Sequence, residues 1–368
     1  MDQFKPAAKK QFPRILIAPL DWGLGHTTRC IPIIDAFLNN SCSVYFAGNK
    51  AQAALVKSEF PNLPLILLEG YNVQISRKKP LVLLKIMARL PWLKKTIQTE
   101  NRWLRKKVAE YKFDAVISDN RYGLHHPGIY TVFITHQLSI KTLFGKWADR
   151  IIQRWNYSYM NKFRECWIPD ERDLSLAGEL SHPVHFPKIP VYYTGWLSRL
   201  KKMEIKSGRE FILIALSGPE PQRSLLEKKL VSELNDYEGN VIFLRGLPGN
   251  ESVLPSFNQV SFYNHLPANE LNNLLLQSSF IICRSGYSSV MDIISLQKKS
   301  ILIPTPGQTE QEYLGRYLHA KKLAYSVSQK NFSLKETLVA AEKFPYQFYQ
   351  KKEDRLEKLV NDFVERLG

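Results

Sequence analysis

The sequence predicts an α/β protein of two tandem domains, each a parallel sheet wrapped by helices. Short β-branched runs that end in turn residues recur at helix-length intervals, which is how βαβ units read in sequence. The pattern starts twice, once near residue 14 and again near residue 211, with a polar, charged stretch between. At 368 residues, with 44% apolar and 12% aromatic side chains, the chain can build two cores at roughly 100–200 residues per domain.

In the first half the runs are ILIAPL (15–20), SVYFAG (43–48), AVISD (115–119) and TVFITHQ (131–137). The second half repeats the theme with FILIALSG (211–218), NVIFLRG (240–246), FIICRSG (280–286) and SILIPTPG (300–307). Between them, residues 191–210 pass from a strand-like piece to a charged one, with Gly208 just before the next strand. The expected domains are therefore 1–197 and 198–345, with the boundary near 198–208. Residues 346–368 place Leu356, Leu359, Val360, Phe363 and Leu367 at helical spacing, an amphipathic helix expected to pack back across the domains.

The chain carries 51 Lys and Arg against 34 Asp and Glu, a net charge of +17 that calls for an anionic partner. Ten of those charges lie in residues 77–107, where eleven Lys and Arg face one Glu. Leu81, Val82, Leu84, Ile86, Met87, Leu90, Trp92, Leu93 and Trp103 are interleaved with them, a mixture that suits an anionic membrane surface. A solvated helix with a core-facing stripe is the plainer alternative. Nothing resembles a nucleic-acid-binding module, so nucleic acid is not expected as a partner. Cys30, Cys42, Cys166 and Cys283 are far apart, and the stretch MDQFKPAAKKQFPR has no apolar signal core. A reduced, cytoplasmic chain is expected, on the inner face of the plasma membrane if it meets one. No apolar stretch approaches the ~20 residues of a spanning helix.

The chemistry-bearing residues cluster at strand ends. After the first strand comes Asp21-Trp22-Gly23-Leu24-Gly25-His26-Thr27-Thr28-Arg29, opening a helical pattern. Glycines there let a ligand reach the backbone, and free helix-start N–H groups favour an anion. His26 would project from the carboxyl edge of the sheet, where open α/β folds bind ligands. Asp119 and Asn120 in SDNRYG (118–123), and His136 and Gln137 after the next strand, share that predicted edge. In the second domain, Leu216-Ser217-Gly218-Pro219-Glu220-Pro221, Cys283-Arg284-Ser285-Gly286-Tyr287-Ser288-Ser289 and Pro304-Thr305-Pro306-Gly307-Gln308-Thr309-Glu310-Gln311-Glu312 each close a strand. Asp292 follows Gly286 by two helical turns, placed for ribose hydroxyls. Each turn alone reads equally well as a helix cap. Three in one domain favour a nucleotide-diphosphate site.

These residues resemble the GT-B glycosyltransferases of family 28, whose fold is two Rossmann-like domains facing across a cleft. The family's C-R-S/A-G-x-x-T-x-x-E segment is matched by Cys283 to Asp292, which puts its ribose-binding carboxylate on Asp292. Its V-P-x6-Q-Q segment is matched by Ile303-Pro304 with Gln311-Glu312, which implies that Gln311 contacts the donor sugar or diphosphate and sets Glu312 where the family has a second Gln. Gly195-Trp196-Leu197-Ser198-Arg199 resembles G-N-P-V-R, which would aim Arg199 at the donor diphosphate. Ser217 and Gly218 keep part of the family's glycine-rich turn, and Leu266 falls in the loop that frames the base. Gly23-Leu24-Gly25-His26 follows G-G-x-G-G-H loosely, and Thr135-His136-Gln137-Leu138 departs most from H-E-Q-N.

The resemblance implies metal-independent, cofactor-free, inverting transfer of a hexose-type sugar from a nucleotide-diphosphate donor, such as a UDP-sugar, to a glycan or lipid-linked acceptor. The catalytic base is assigned to His26, with Asp119 and His136 as rivals. Gly23, Gly25, Asn120 and Gln137 fall to the acceptor side, and Arg199, Ser217, Gly218, Leu266, Arg284, Ser285, Gly286, Asp292, Gln308, Gln311 and Glu312 to the donor. A nucleotide-sugar epimerase of the same architecture and a non-catalytic membrane-surface protein are the competing readings.

Overall fold

The computed structural model describes residues 12–70, 82–142, 145–203, 210–247, 259–350 and 355–367, without the side chains of 82–90 and 146. The start of the basic segment (77–81), its side chains up to 90, and Gly208 lie outside the described residues.

The first half runs β1 (Arg14–Pro19), α1 (Gly25–Asn39), β2 (Ser43–Gly48), α2 (Lys50–Glu59), β3 (Leu65–Leu67), α3 (Val82–Tyr111), β4 (Ala115–Asp119), β5 (Tyr130–Ile134), α4 (Lys146–Met160), β6 (Glu165–Ile168) and β7 (Val191–Tyr193). Its strands form one parallel sheet in the order β3-β2-β1-β4-β5-β6-β7. Covered on both faces, such strands are continuous apolar runs, and Ile15, Leu16, Ile17 and Ala18 are all fully buried. The second half runs β8 (Ile212–Ala215), α5 (Gln222–Glu233), β9 (Val241–Leu244), β10 (Val260–Tyr263), α6 (Ala268–Gln277), β11 (Phe280–Cys283), α7 (Tyr287–Ser295), β12 (Ser300–Leu302), α8 (Thr309–Ala320), β13 (Tyr325–Ser326), α9 (Leu334–Glu342) and α10 (Arg355–Glu365). Its parallel order, β10-β9-β8-β11-β12-β13, repeats that of the first sheet.

In both sheets the strand order reverses beside the first strand, between β1 and β4 and between β8 and β11. Doubly wound sheets open a crevice at the carboxyl ends of the strands there. The last helix lies on the first domain: Phe363 meets Phe37 at 5.7 Å and Trp167 at 5.4 Å between ring centroids. Arg366 pairs with the buried Glu165 of β6 at 2.9 Å.

The long helix α3 is fixed to the sheet edge by Glu100, whose carboxylate accepts the Arg121 guanidinium and the Gly123 N–H, the latter at 3.0 Å. Gly123 must lack a side chain, because a Cβ there would stand 2.4 Å from Glu100 Cβ and 2.5 Å from Ile97 O. We expect Gly123→Ala to cost about 3 kcal/mol through overpacking. The check is a thermal melt, and an unchanged Tm would mean that α3 yields at this contact.

Candidate active site

The two domains meet where their strands end. Ser288 Oγ at the start of α7 donates to Gly25 O at the start of α1 (2.9 Å), Thr309 Oγ1 at the start of α8 donates to Lys141 O (2.8 Å), and Tyr287 Oη donates to Pro169 O (2.7 Å). None of the N-caps of α1, α7 and α8, which are Leu24, Gly286 and Gln308, makes a side-chain capping bond. A Cβ built on Gly286 would meet nothing within 4 Å. Uncapped helix starts converging on one place offer backbone N–H donors and the positive ends of helix dipoles to an anion.

Between these starts sits a chain of charged and imidazole groups organised by Arg29, a residue the sequence reading did not assign. Arg29 is buried and grips Asp119 through Nε (2.6 Å) and Nη2. Its Nη2 also lies 2.7 Å from His26 Nδ1, and its Nη1 donates to His136 Nδ1 (3.3 Å). His136 Nε2 then donates to Glu310 Oε1 of α8 (2.8 Å), across the domain boundary, while its ring stacks on Tyr287 at 4.2 Å. His26 and Arg29 stand three residues apart in the first turns of α1, on one face of the helix. Asp119 ends β4 and His136 follows β5, so neighbouring parallel strands deliver the remaining groups.

Environment separates the three candidate bases. Burial alone would raise the Asp119 carboxyl, but Arg29 and then His26 outweigh it and hold the group well below the usual range. Asp119 is thus a fixed anion. His136 has both ring nitrogens engaged. His26 Nε2 has no protein partner among the described residues, and its side chain is 16% exposed. Burial, and next the Arg29 cation, lower the His26 pKa from 6.5 against the opposing pull of Asp119, so the ring is neutral at pH 7. Glu310 is likewise held low: burial, the largest single effect, would raise it, but His136, His26 and Arg29 together outweigh it.

The other predicted residues fall into two groups. Gly23, with φ +75° and open space where a Cβ would be, and Gly25 line the turn that presents His26. Asn120 takes a left-handed backbone (φ 57°) after β4 and donates its N–H to Ile134 O, and Gln137 donates its N–H to Thr135 Oγ1. Ser217 and Gly218 form an exposed turn after β8, with Gly218 at φ +102°. Others are engaged in holding the loops. Buried Arg284 donates to Ile303 O, Pro304 O, Gln222 O and Gln329 Oε1, and Ser285 Oγ donates to Gln311 O. Gln311 Oε1 accepts Thr305 N–H and Glu312 Oε1 accepts Gly307 N–H, bracing the turn that ends at Gln308. Asp292 accepts Ser198 Oγ at 2.6 Å. Leu266 is buried after β10, and Arg199 pairs with Glu59 of α2 at 2.7 Å, near His265.

Two separate doubly wound sheets whose strand ends face each other across a crevice make up the GT-B fold of glycosyltransferases. Residues 225–367 match the glycosyltransferase family 28 C-terminal domain. The chain is similar in structure to MurG of Acinetobacter baumannii (TM-score 0.55, 14% identity, covering 96% of this chain and 99% of that one). It is also similar to the calicheamicin glycosyltransferase CalG4 (0.62, 10%, 97% and 93%) and to the glycosyltransferase VinC in complex with DTDP (0.55, 12%, 96% and 96%). At these identities the likeness is one of fold. No curated protein matches the chain at a significant level.

Proposed function

We propose that the chain transfers a hexose-type sugar from a nucleotide-diphosphate donor, a UDP-sugar, to an acceptor hydroxyl, with inversion at the anomeric carbon. The observation that carries this reading is the convergence of three uncapped helix starts on the one imidazole whose outer nitrogen is unengaged. The diphosphate lies against the starts of α1 and α7 and the Ser217-Gly218 turn, where backbone N–H groups take up charge as the sugar leaves. Asp292 and Leu266 receive the nucleoside, and the turn braced by Gln311 and Glu312 receives the sugar. Arg199 joins the diphosphate site only by exchanging its Glu59 partner.

His26 Nε2 takes the proton of the acceptor hydroxyl. That role requires the ring hydrogen on Nδ1, where the Asp119 oxygens stand 3.2 Å away to accept it. An acceptor hydroxyl donating to Nε2 selects this tautomer, in which Arg29 Nη2 gives its hydrogen bond to Asp119 alone. Because the base must be unprotonated and its pKa lies below 6.5, turnover is expected to be level around neutral pH and to fall along one acid limb below 6.5. A pH profile of UDP release checks this, and a limb above pH 7 would contradict it.

The deciding experiment is a panel of nucleotide-sugars incubated with and without membrane extract, reading free UDP and the fate of the sugar. Acceptor-dependent UDP release supports the reading. Epimerised sugar without acceptor would replace it with an epimerase, and no change in any donor with a binding protein.

We further propose that the acceptor is met at an anionic membrane surface through 77–107. Among the described residues no helix is long and apolar enough to cross a membrane. On α3, Trp92 is 41% exposed beside the exposed Lys94 and Lys95, and on the neighbouring α4 Trp147 and Ile151 are exposed beside Arg150 and Arg154. Flotation with anionic vesicles is expected for the wild-type chain and lost when Lys94, Lys95, Lys106 and Lys107 are changed to Glu. Unchanged flotation of that variant removes the membrane role.

A further inference from the structure

A second cavity, of about 450 Å3, opens in the first domain between α3, the end of α4 and the loop after β4. Lys94, Gln98 and Arg102 follow one another at four-residue intervals and so line it from one face of α3. Lys162, two residues beyond α4, closes the other side above the Tyr159 ring, 4.5 Å from its centroid. Asn101 ties the wall together, donating to His125 O (2.7 Å) and Gly123 O (3.0 Å).

The electrostatics of this cavity are one-sided. Its described lining contains no carboxylate, and Lys94, Arg102 and Lys162 have no ion-pair partner among the described residues. Cations elsewhere on the surface do find acids: Lys107 pairs with Glu110 at 2.7 Å, and Lys229 with Glu233 at 3.6 Å. His125 in the wall is pushed down to about 4, by burial first and then by Lys162, Arg105 and His126. Holding several like charges around one concavity costs free energy that a bound anion returns. One guanidinium and two ammonium groups suit the several oxygens of a phosphoryl group better than a single carboxylate.

We infer that Lys94, Arg102 and Lys162 form a phosphoryl-binding pocket on the acceptor-side domain, separate from the interdomain crevice. Its ligand is either a lipid headgroup phosphate, presented by the surface that Trp92 would touch, or a free phosphate. The inference goes beyond glycosyl transfer: a chain that turned over no nucleotide-sugar would still show it.

The test compares full-length wild type with two triple variants that remove equal charge, Lys94→Gln/Arg102→Gln/Lys162→Gln and a control in the other domain, Lys228→Gln/Lys321→Gln/Lys335→Gln. All six side chains are exposed, so the fold should survive, as coincident thermal melts would verify. Inorganic pyrophosphate is titrated calorimetrically at fixed ionic strength, and flotation uses phosphatidylcholine vesicles with and without phosphatidic acid. The pocket variant is expected to lose roughly 100-fold in affinity for one of these ligands. The control should lose less than about threefold, because separated charges are screened. Loss for pyrophosphate identifies a free phosphate, and loss confined to phosphatidic acid vesicles identifies a headgroup. Equal losses in both variants, no loss in either, or no binding by wild type overturns the pocket. Pyrophosphate held in the interdomain crevice would register as no loss in either variant.

Discussion

His26→Ala should lower kcat by about 10³-fold while leaving KM for the donor nearly unchanged, because a positioned general base contributes roughly 10²–10⁴. The expectation rests on how the neighbours are engaged. Asp119 is clamped by Arg29 and cannot approach an acceptor, and His136 is bonded at one nitrogen to Arg29 and at the other to Glu310. Neither can replace the lost imidazole without breaking a bond that joins the two domains or neutralises a buried charge. The His26 side chain is largely buried against Arg29 and Asp119, so a melt should find the variant about 1–2 kcal/mol less stable than wild type, far too little to account for the lost turnover. The acid limb of the rate should vanish with the side chain. If His26→Ala retained more than about a tenth of wild-type kcat, the base would lie elsewhere and the crevice would need another proton acceptor.

Most strands were legible in the sequence, and so was the edge on which they end. Four, β3, β6, β10 and β13, were not, and length does not separate them, since β8, β9, β11 and β12 also have only three or four residues. β6 and β10 carry Glu165 and Ser261 within the strand, which breaks the apolar pattern. The site was legible at the same level. His26, Asp119 and His136 could each be placed after a strand, but the group that joins them could not. Arg29 lies inside an otherwise apolar helical stretch, where a cation ordinarily reads as surface. The only hint was its i+3 spacing from His26. Glu310 belongs to the other domain, 174 positions from its partner His136, and no local signal connects residues so far apart. Arg284, which the resemblance to the C-R-S/A-G segment puts on the donor side, turns its guanidinium inward to strand-end carbonyls. Adjacency in sequence fixes a backbone position, whereas side-chain direction depends on what the core needs there.

Arg29→Met should have the larger effect on stability and a distinct effect on chemistry. It removes the only cation among the described residues that grips Asp119 and leaves a fully buried carboxylate, which costs about 3–5 kcal/mol when a buried pair loses one partner. The pH dependence follows from the direction of the Asp119 shift. A carboxyl held below its unfolded value of about 3.9 stabilises the fold above that pH and loses the contribution as pH falls from there. Without Arg29 the burial effect is opposed by His26 alone, so Asp119 rises and this acid-side loss shrinks. His26 moves as well. The nearby cation that depresses it is gone, its Nδ1 is released, and Asp119 becomes its sole ionic partner, so the imidazole pKa rises. The acid limb of turnover should then shift upward, leaving the variant impaired at pH 7 and partly recovered at higher pH. Arg29→Lys retains the cation and should keep the limb near its wild-type position, although one ammonium cannot serve Asp119 and both histidines with the geometry of a guanidinium. A double variant, Arg29→Met with Asp119→Asn, tests the origin of the destabilisation: it should be more stable than Arg29→Met alone, since the unpaired charge is gone. Should the single variant melt like wild type and keep its pH profile, Arg29 would be a bystander, and the Nδ1 tautomer would be set by Asp119 alone.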